Sequence, residues 1–482
     1  MLVVLLIAPI ISTIVSAIFR KNLLIAEVIT LLSSFIQLAA SVFIANTVIQ
    51  TGTYSLHPFF YIDHLGALLL LITSVVGFVS ISFNIGYIRE EVKKEIIGIH
   101  RATQSYLLIN LFLLAMLSAI ASTNPIFTWI TIEATTLSTI FLISFYNKPS
   151  ATEAAWKYLV VNSVGLMLAF LGTILYLAAA SHGLGERTAT WDNLASSLNG
   201  VNVQAIKIAF ILVLIGYGTK LGIAPMHTWR PDAYSKAPIP VVAMLSGALL
   251  NVAFLAILRF KVITDNAIGG DFTQNLFIFF GILSVVLAAL IIYRQENYKR
   301  LLAYSSVEHA GIMLLGVGFG GLGVYASLLH MIHHSLAKSL IFLLSGNIFL
   351  KYSSAYIKDV GGVLNTLPQT AVLFVLAFLA LVGLPPFGIF LTKFYIILAG
   401  IQTHPWVTLI MVFSLALIFL GFFRLISSML FGKIPDGIKS GEYSKWNLLP
   451  PVLLLCLIII LSVYLPDPLQ KLLNNASEGL RR

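Results

Sequence analysis

Four charged residues stand where charge is costly. Glu133 in WITIEATTLSTIFL, Lys220 in LIGYGTKLGIAP, Lys338 in HHSLAKSLIFLL and Lys393 in PPFGIFLTKFYIIL lie inside long apolar runs. None has an opposite charge within a turn of its own run. A charge at the centre of a bilayer costs about 3 kcal/mol on insertion scales, and such residues mark ion or substrate paths. Their partners must come from other segments or from internal water. His330, His334 and Lys338 follow one another at i,i+4 spacing and form one stripe on a helix face. Imidazole titrates near neutral pH, which suits a proton relay. Zinc also uses histidines at this spacing, but no carboxylate or thiolate nearby offers a third ligand and Lys338 would repel a metal, so no metal site is expected. Four more residues are possible members of the path: Lys157, His227, and the neighbours Glu308 and His309 in YSSVEHAG. Lys157 lies four residues after Glu153 and is equally readable as half of an interfacial pair. Glu308 and His309 are readable as a relay point or as an interfacial pair. Lys207, near a helix start, is expected to snorkel.

These groups need apolar elements to hold them. Of 482 residues, 59% are hydrophobic and 10% charged, too few charges for a soluble domain, which carries about a quarter. Runs of about twenty apolar residues recur along the chain, as bilayer-spanning helices require. The pattern predicts an all-α membrane protein of about fourteen transmembrane helices, near 1–19, 24–47, 64–87, 104–121, 126–146, 155–180, 204–224, 238–258, 275–293, 301–318, 323–349, 370–400, 406–424 and 447–465. The first run lacks a basic leader and a cleavage site and is read as a retained helix.

Proline interrupts two spans beside their lysines. Pro225 follows Lys220 in the seventh, and Pro385 and Pro386 precede Lys393 in the twelfth. Irregular backbone at membrane depth is tolerated only against protein or water. The offset of five spans reverses direction across the membrane, as two inverted five-helix repeats (helices 4–8 and 9–13) would, with helices 7 and 12 broken. The expected units are 1–103, the first repeat at 104–260, the second at 275–430, and a last helix with its tail at 447–482.

Cys456 is the only cysteine, which excludes internal disulfides and cysteine-ligated clusters. The net charge of +10 reflects topology rather than nucleic acid. Eighteen of the 29 basic residues, among them Arg89, Lys94, Lys148, Arg230, Lys236 and Lys299, fall in loops of one side. Six fall on the other: Arg187, Arg259, Lys261, Lys471, Arg481 and Arg482. The bias places the first side in the cytoplasm of a prokaryotic inner membrane and both termini outside.

At WITIEATTLSTIFL, KLGIAPMHTWRPDAYSKAP and HHSLAKSLIFLLSGN the chain resembles the antiporter-like subunits of respiratory complex I, Mrp-type cation/proton antiporters and membrane-bound group 4 [NiFe]-hydrogenases. EAAWKY, YSSVEHAGI and HHSLAK look most like the F component of formate-hydrogenlyase-type complexes. The resemblance covers nearly the whole chain. It implies a proton- or sodium-translocating subunit in which Glu133 and Lys220 form a switchable pair and protons pass by Lys338, His334 and His330 to Lys393. It also implies no cofactor in this chain, lipid and membrane-subunit partners, and a peripheral redox arm with Fe–S clusters and, in the hydrogenase type, a NiFe site. Alternatives are an Mrp-type Na⁺/H⁺ antiporter subunit, a stand-alone solute symporter, and a membrane anchor that translocates nothing.

Three departures from the family stand out. Asn251 occupies the eighth helix where complex I homologues often carry lysine, so the halves would be linked through water, histidines or Arg259. Lys393 stands where some relatives use glutamate, and a glutamate there is expected to keep partial activity. The chain also ends soon after the last predicted span, without the long lateral helix of larger relatives.

Overall fold

The structure, a computed structural model, describes residues 1–56, 59–185, 188–198 and 201–481, with the backbone alone at residue 182; Arg187 and Arg482 lie outside the described residues. In chain order the helices are α1 (Leu2–Ile18), α2 (Leu23–Thr51), α3 (His64–Lys93), α4 (Ile99–Ala121), α5 (Pro125–Ile143), α6 (Pro149–Leu184), α7 (Trp191–Ser196), α8 (Val203–Leu221), α9 (Trp229–Lys236) and α10 (Ile239–Met244). A π-turn (Leu245–Leu249) joins α10 to α11 (Leu250–Ile268). Then come α12 (Asp271–Ile292), α13 (Tyr298–Phe319), α14 (Leu322–Tyr352), α15 (Val363–Thr366), α16 (Pro368–Val382), α17 (Gly388–Thr403), α18 (Pro405–Phe431), α19 (Leu449–Val463) and α20 (Asp467–Arg481). The sheet is one hairpin, β1 (Tyr54–Leu56) antiparallel to β2 (Phe60–Ile62).

Among the described residues, eleven helices are long and apolar enough to cross a membrane, or twelve if the bent α19–α20 pair counts as one; α1, α16 and α17 are apolar but shorter. The protein is thus a multi-pass helical membrane protein. Helices dominate because a chain in lipid must satisfy every backbone N–H and C=O internally. Their starts are written in the sequence: the Asp63 side chain accepts from Gly66 N at 2.7 Å, Asn124 and Asn297 cap α5 and α13, and Pro125, Pro149, Pro368 and Pro405 open helices where an N–H would go unused.

Polarity is arranged inside out. Phe35, Trp156, Met167, Leu290, Trp406 and Phe413 point outward, whereas Glu308, His309, His330, His334 and Lys338 are enclosed. The most apolar stretches of the continuous span Ile239–Ile268 and of α14 are fully buried, and that of α13 nearly so. These three form the middle of the bundle; α6 packs on α8 to one side, and α17 packs on α13 and α14 to the other.

Both interrupted spans break at glycine rather than at proline. Gly222 ends α8 in the left-handed conformation (φ 71°), its N–H bonded to Gly218 O at 2.8 Å, and Pro225 comes three residues later. Gly383 ends α16 in the same way (φ 84°), ahead of Pro385 and Pro386. This corrects the reading in which Pro225 stops the helix. The tail after α19 is also ordered as α20, bent by 72° from α19, with Leu472, Leu473, Ala476 and Leu480 packed inward.

Candidate functional site

In the first half, α5, α6 and α8 bring the predicted pair close without closing it. Thr136 Oγ1 donates to Glu133 Oε2 at 3.3 Å, and Lys220 Nζ donates to the same hydroxyl at 2.9 Å. Ser163 on α6 donates to the other carboxylate oxygen at 3.0 Å. Lys220 also donates to Tyr158 OH at 2.8 Å, and that phenol is hydrogen-bonded to Thr139 at 2.7 Å. A buried ammonium gains little from neutral partners alone, so Glu133 is its nearest compensating charge across one hydroxyl.

The break after Lys220 is held by residues that face inward. Trp229 Nε1 donates to Thr219 O at 2.9 Å. Arg230 is fully buried; its Nη2 donates to Leu221 O, beside Lys220, while Nε and Nη1 have no partner among the described residues. Its charge acts on His334 and Lys338. Arg230 is thus enclosed beside the break that follows Lys220. This corrects its assignment to a loop. Arg259, midway along α11, is paired with Asp63 at 3.2 Å. His227, in the same break, is buried with its ring 5.9 Å from Tyr304, next to the Ser305 that binds Lys338.

In the second half the pair is closed. Lys393 Nζ lies 3.1 Å from Glu308 Oε1 and donates to Val382 O at 3.0 Å, a carbonyl freed by the break. Glu308 and His309 thus do not pair with each other. His309 Nδ1 is hydrogen-bonded to His330 Nε2 at 2.9 Å, and His330 Nδ1 to Thr392 Oγ1 at 2.8 Å, one residue from Lys393. The His334 ring lies 4.8 Å from that of His309, tilted by 44°, with neither ring nitrogen hydrogen-bonded among the described residues. Lys338 Nζ donates to Leu302 O at 2.7 Å and to Ser305 at 2.8 Å. A cavity of ≈ 320 Å³ beside the second break is lined by Ser305, Glu308, Val382 and Lys393, so it touches the surroundings of both lysines.

Asn251 donates to Ser335 at 2.7 Å, one residue from His334, close to the π-turn where Gly247 lets the chain approach α14. The amide keeps this position polar without adding a charge. Lys157 is not brought to the cluster. It is half exposed and pairs with Glu153 at 2.7 Å and with Asp232 at 3.4 Å. Among the described residues, no group of three or more His, Cys, Asp or Glu could hold a metal ion.

Sequence reasoning missed Tyr158, Thr136 and Thr392, whose hydroxyls look like ordinary helix residues. It also assigned Arg230 and Lys299 to loops, although both are buried. Nothing in HTWRPD, where Asp232 follows Arg230 closely, distinguishes a buried guanidinium from an ordinary loop charge.

The matched family model is described as "NADH:quinone oxidoreductase/Mrp antiporter, TM" and covers residues 122–419. A hydrogenase-4 component F homolog of Methylacidiphilum infernorum is 36% identical over 377 residues, 78% of each chain. The fold is similar to a chain of the membrane-bound sulfane sulfur reductase, an archaeal respiratory membrane complex, at a TM-score of 0.88 and 25% identity, covering 100% of this chain and 97% of that one. It is similar as well to a chain of the Mrp complex of Dietzia sp. DQ12-45-1b, at a TM-score of 0.86 and 19% identity, covering 100% and 97%.

Proposed function

Because this chain belongs to the NADH:quinone oxidoreductase/Mrp antiporter family, as an antiporter-like membrane subunit of the complex I, Mrp and hydrogenase type, we propose that it translocates protons along its buried file. The drive would be electron transfer in partner subunits of a prokaryotic inner-membrane complex, through a redox arm bearing Fe–S clusters. The observation that carries this reading is the difference between the two glutamate–lysine pairs. Glu308–Lys393 is in contact at 3.1 Å, whereas Glu133 and Lys220 are held apart across Thr136. Two unit charges 4 Å apart interact by about 4 kcal/mol at an effective dielectric of about 20, and every 1.4 kcal/mol is about tenfold in an equilibrium. A carboxylate that approaches a lysine holds its proton, and one that withdraws releases it. Alternation between open and closed pairs would therefore pass protons between Lys220, Lys338 with its histidines, and Lys393.

The same placement supports two inverted repeats within a fourteen-span bundle. Glutamates on the fifth and tenth predicted spans face lysines on the seventh and twelfth, and both of the latter break at a left-handed glycine followed by Pro225 or by Pro385–Pro386. Protons suit the file better than sodium, since its members are mainly lysine and imidazole nitrogens, whereas hard cations take oxygen ligands. A continuous titratable file also speaks against a solute pocket.

Lys220→Ala in the complex reconstituted in liposomes is expected to abolish ion translocation by this subunit while assembly persists. Undiminished translocation per electron transferred would overturn the reading.

A further inference from the structure

A second ionisable site lies apart from this file, on the face that carries the basic loops. Glu91, near the end of α3, is 1% exposed; Tyr146 donates to its Oε1 at 2.6 Å, and Oε2 has no partner among the described residues. Lys299, at the start of α13, is also buried, its ammonium 3.3 Å from the centroid of the Phe349 ring. The two residues act on one another's charge and line the floor of one cleft of ≈ 360 Å³. Lys94 and Lys148 stand exposed at the mouth, with Lys236 on the wall. The walls come from both halves: Lys148 and Lys236 precede α11, whereas Lys299 and the loop after α14 follow it.

The floor leads inward along a single helix. Leu302, one turn after Lys299 on α13, offers the carbonyl that accepts from Lys338, and Ser305, a turn further, accepts from the same ammonium. Glu308 and His309 occupy the next turn. In the first half, by contrast, the apolar Leu142 and Ile143 lie between Tyr146 and Thr139 along the chain.

From this geometry we propose that the cleft is the proton vestibule of the protein and that Glu91 is its first acceptor, passing protons by Lys299 and the α13 turns to Lys338. A buried carboxylate with one oxygen hydrogen-bonded and one unpartnered can take up a proton and turn it inward, and a rim of lysines keeps that carboxylate compensated without sealing it. The proposal rests on the translocating reading above and adds the entrance.

The test replaces Glu91 by Gln, which keeps the shape and can still accept from Tyr146. Membrane potential generated by the reconstituted complex is recorded for wild type, Glu91→Gln, Lys220→Ala and Lys338→Met, with and without acetate in the bath. Potential is chosen because permeant acetic acid does not discharge it. Glu91→Gln is expected to lose at least tenfold in initial rate and to recover with acetate, which enters the cleft as a mobile carboxylate. Lys338→Met is expected not to recover. A Glu91→Gln rate equal to wild type, with Lys220→Ala inactive, would overturn the vestibule and leave the translocating function standing. A slow Glu91→Gln that acetate fails to rescue would show a merely structural role and overturn it too. Full activity of Lys220→Ala would instead remove the function on which the proposal rests.

Discussion

Lys393 shows how much one partner changes a residue's meaning. Read alone in its apolar run, it is an unpaired base whose replacement by glutamate keeps a titratable group. With Glu308 at 3.1 Å, the same replacement sets two carboxylates against each other in a buried site. Like charges at that distance cost about as much as opposite charges gain, about 5 kcal/mol at an effective dielectric of about 20. Lys393→Glu is therefore expected to lower translocation by at least tenfold. The double exchange Glu308→Lys with Lys393→Glu should recover much of the loss. Proton uptake by liposomes carrying each variant checks this, and an active single variant beside an inactive double would refute the pairing. The partner was not legible in the sequence because it lies 85 residues away on another helix. The lysines and histidines themselves were legible, since a charge in an apolar run signals itself. Glu91, Arg230 and Lys299 were not. They sit in IREEVKKE, HTWRPD and NYKRLL, where neighbouring charges make a loop the natural reading, and only packing shows them to be buried.

At the scale of elements, α13 links the parts. On successive turns it presents Lys299, the Leu302 carbonyl, Ser305 and the Glu308–His309 step, so a movement of this one helix relative to α14 and α17 would alter several links together. The two breaks give those neighbours room to adjust. Their placement followed from sequence, but their chemistry did not: proline was the visible signal, whereas the residue that ends each helix is glycine at positive φ. At Gly222 an added Cβ would also collide with the Arg230 guanidinium. Gly222→Ala is expected to cost about 1–3 kcal/mol through left-handed strain, with further loss from displaced Arg230. Thermal unfolding in detergent should show a clear fall in midpoint. Gly479→Ala, in a helix with nothing within 4 Å of the new Cβ, should show none. Equal midpoints for Gly222→Ala and wild type would contradict the account of the break.

Over the whole molecule, periodicity located the long apolar helices because bilayer-spanning helices are uniform and bounded by charge, whereas the expected spans 1–19 and 370–400 fall on the shorter helices α1, α16 and α17. The amphipathic α20 escaped that reading, since half its residues are polar and only its packing against α3 and α14 reveals which face is covered. Each of the two glutamate–lysine pairs lies beside a broken helix, and in the proposed file protons pass between them by Lys338 and His334. Lys338 is the junction, so its loss should interrupt transfer between the halves, whereas His334→Ala should be milder because the His309–His330–Thr392 hydrogen bonds do not pass through it. The most direct measurement is the number of ions translocated per electron transferred by the complex in liposomes, for wild type, Lys338→Met and His334→Ala. A continuous file requires that Lys338→Met lose this subunit's share of the ions while His334→Ala keeps most of it. Wild-type stoichiometry in Lys338→Met would show that ions cross without the junction and would contradict the account.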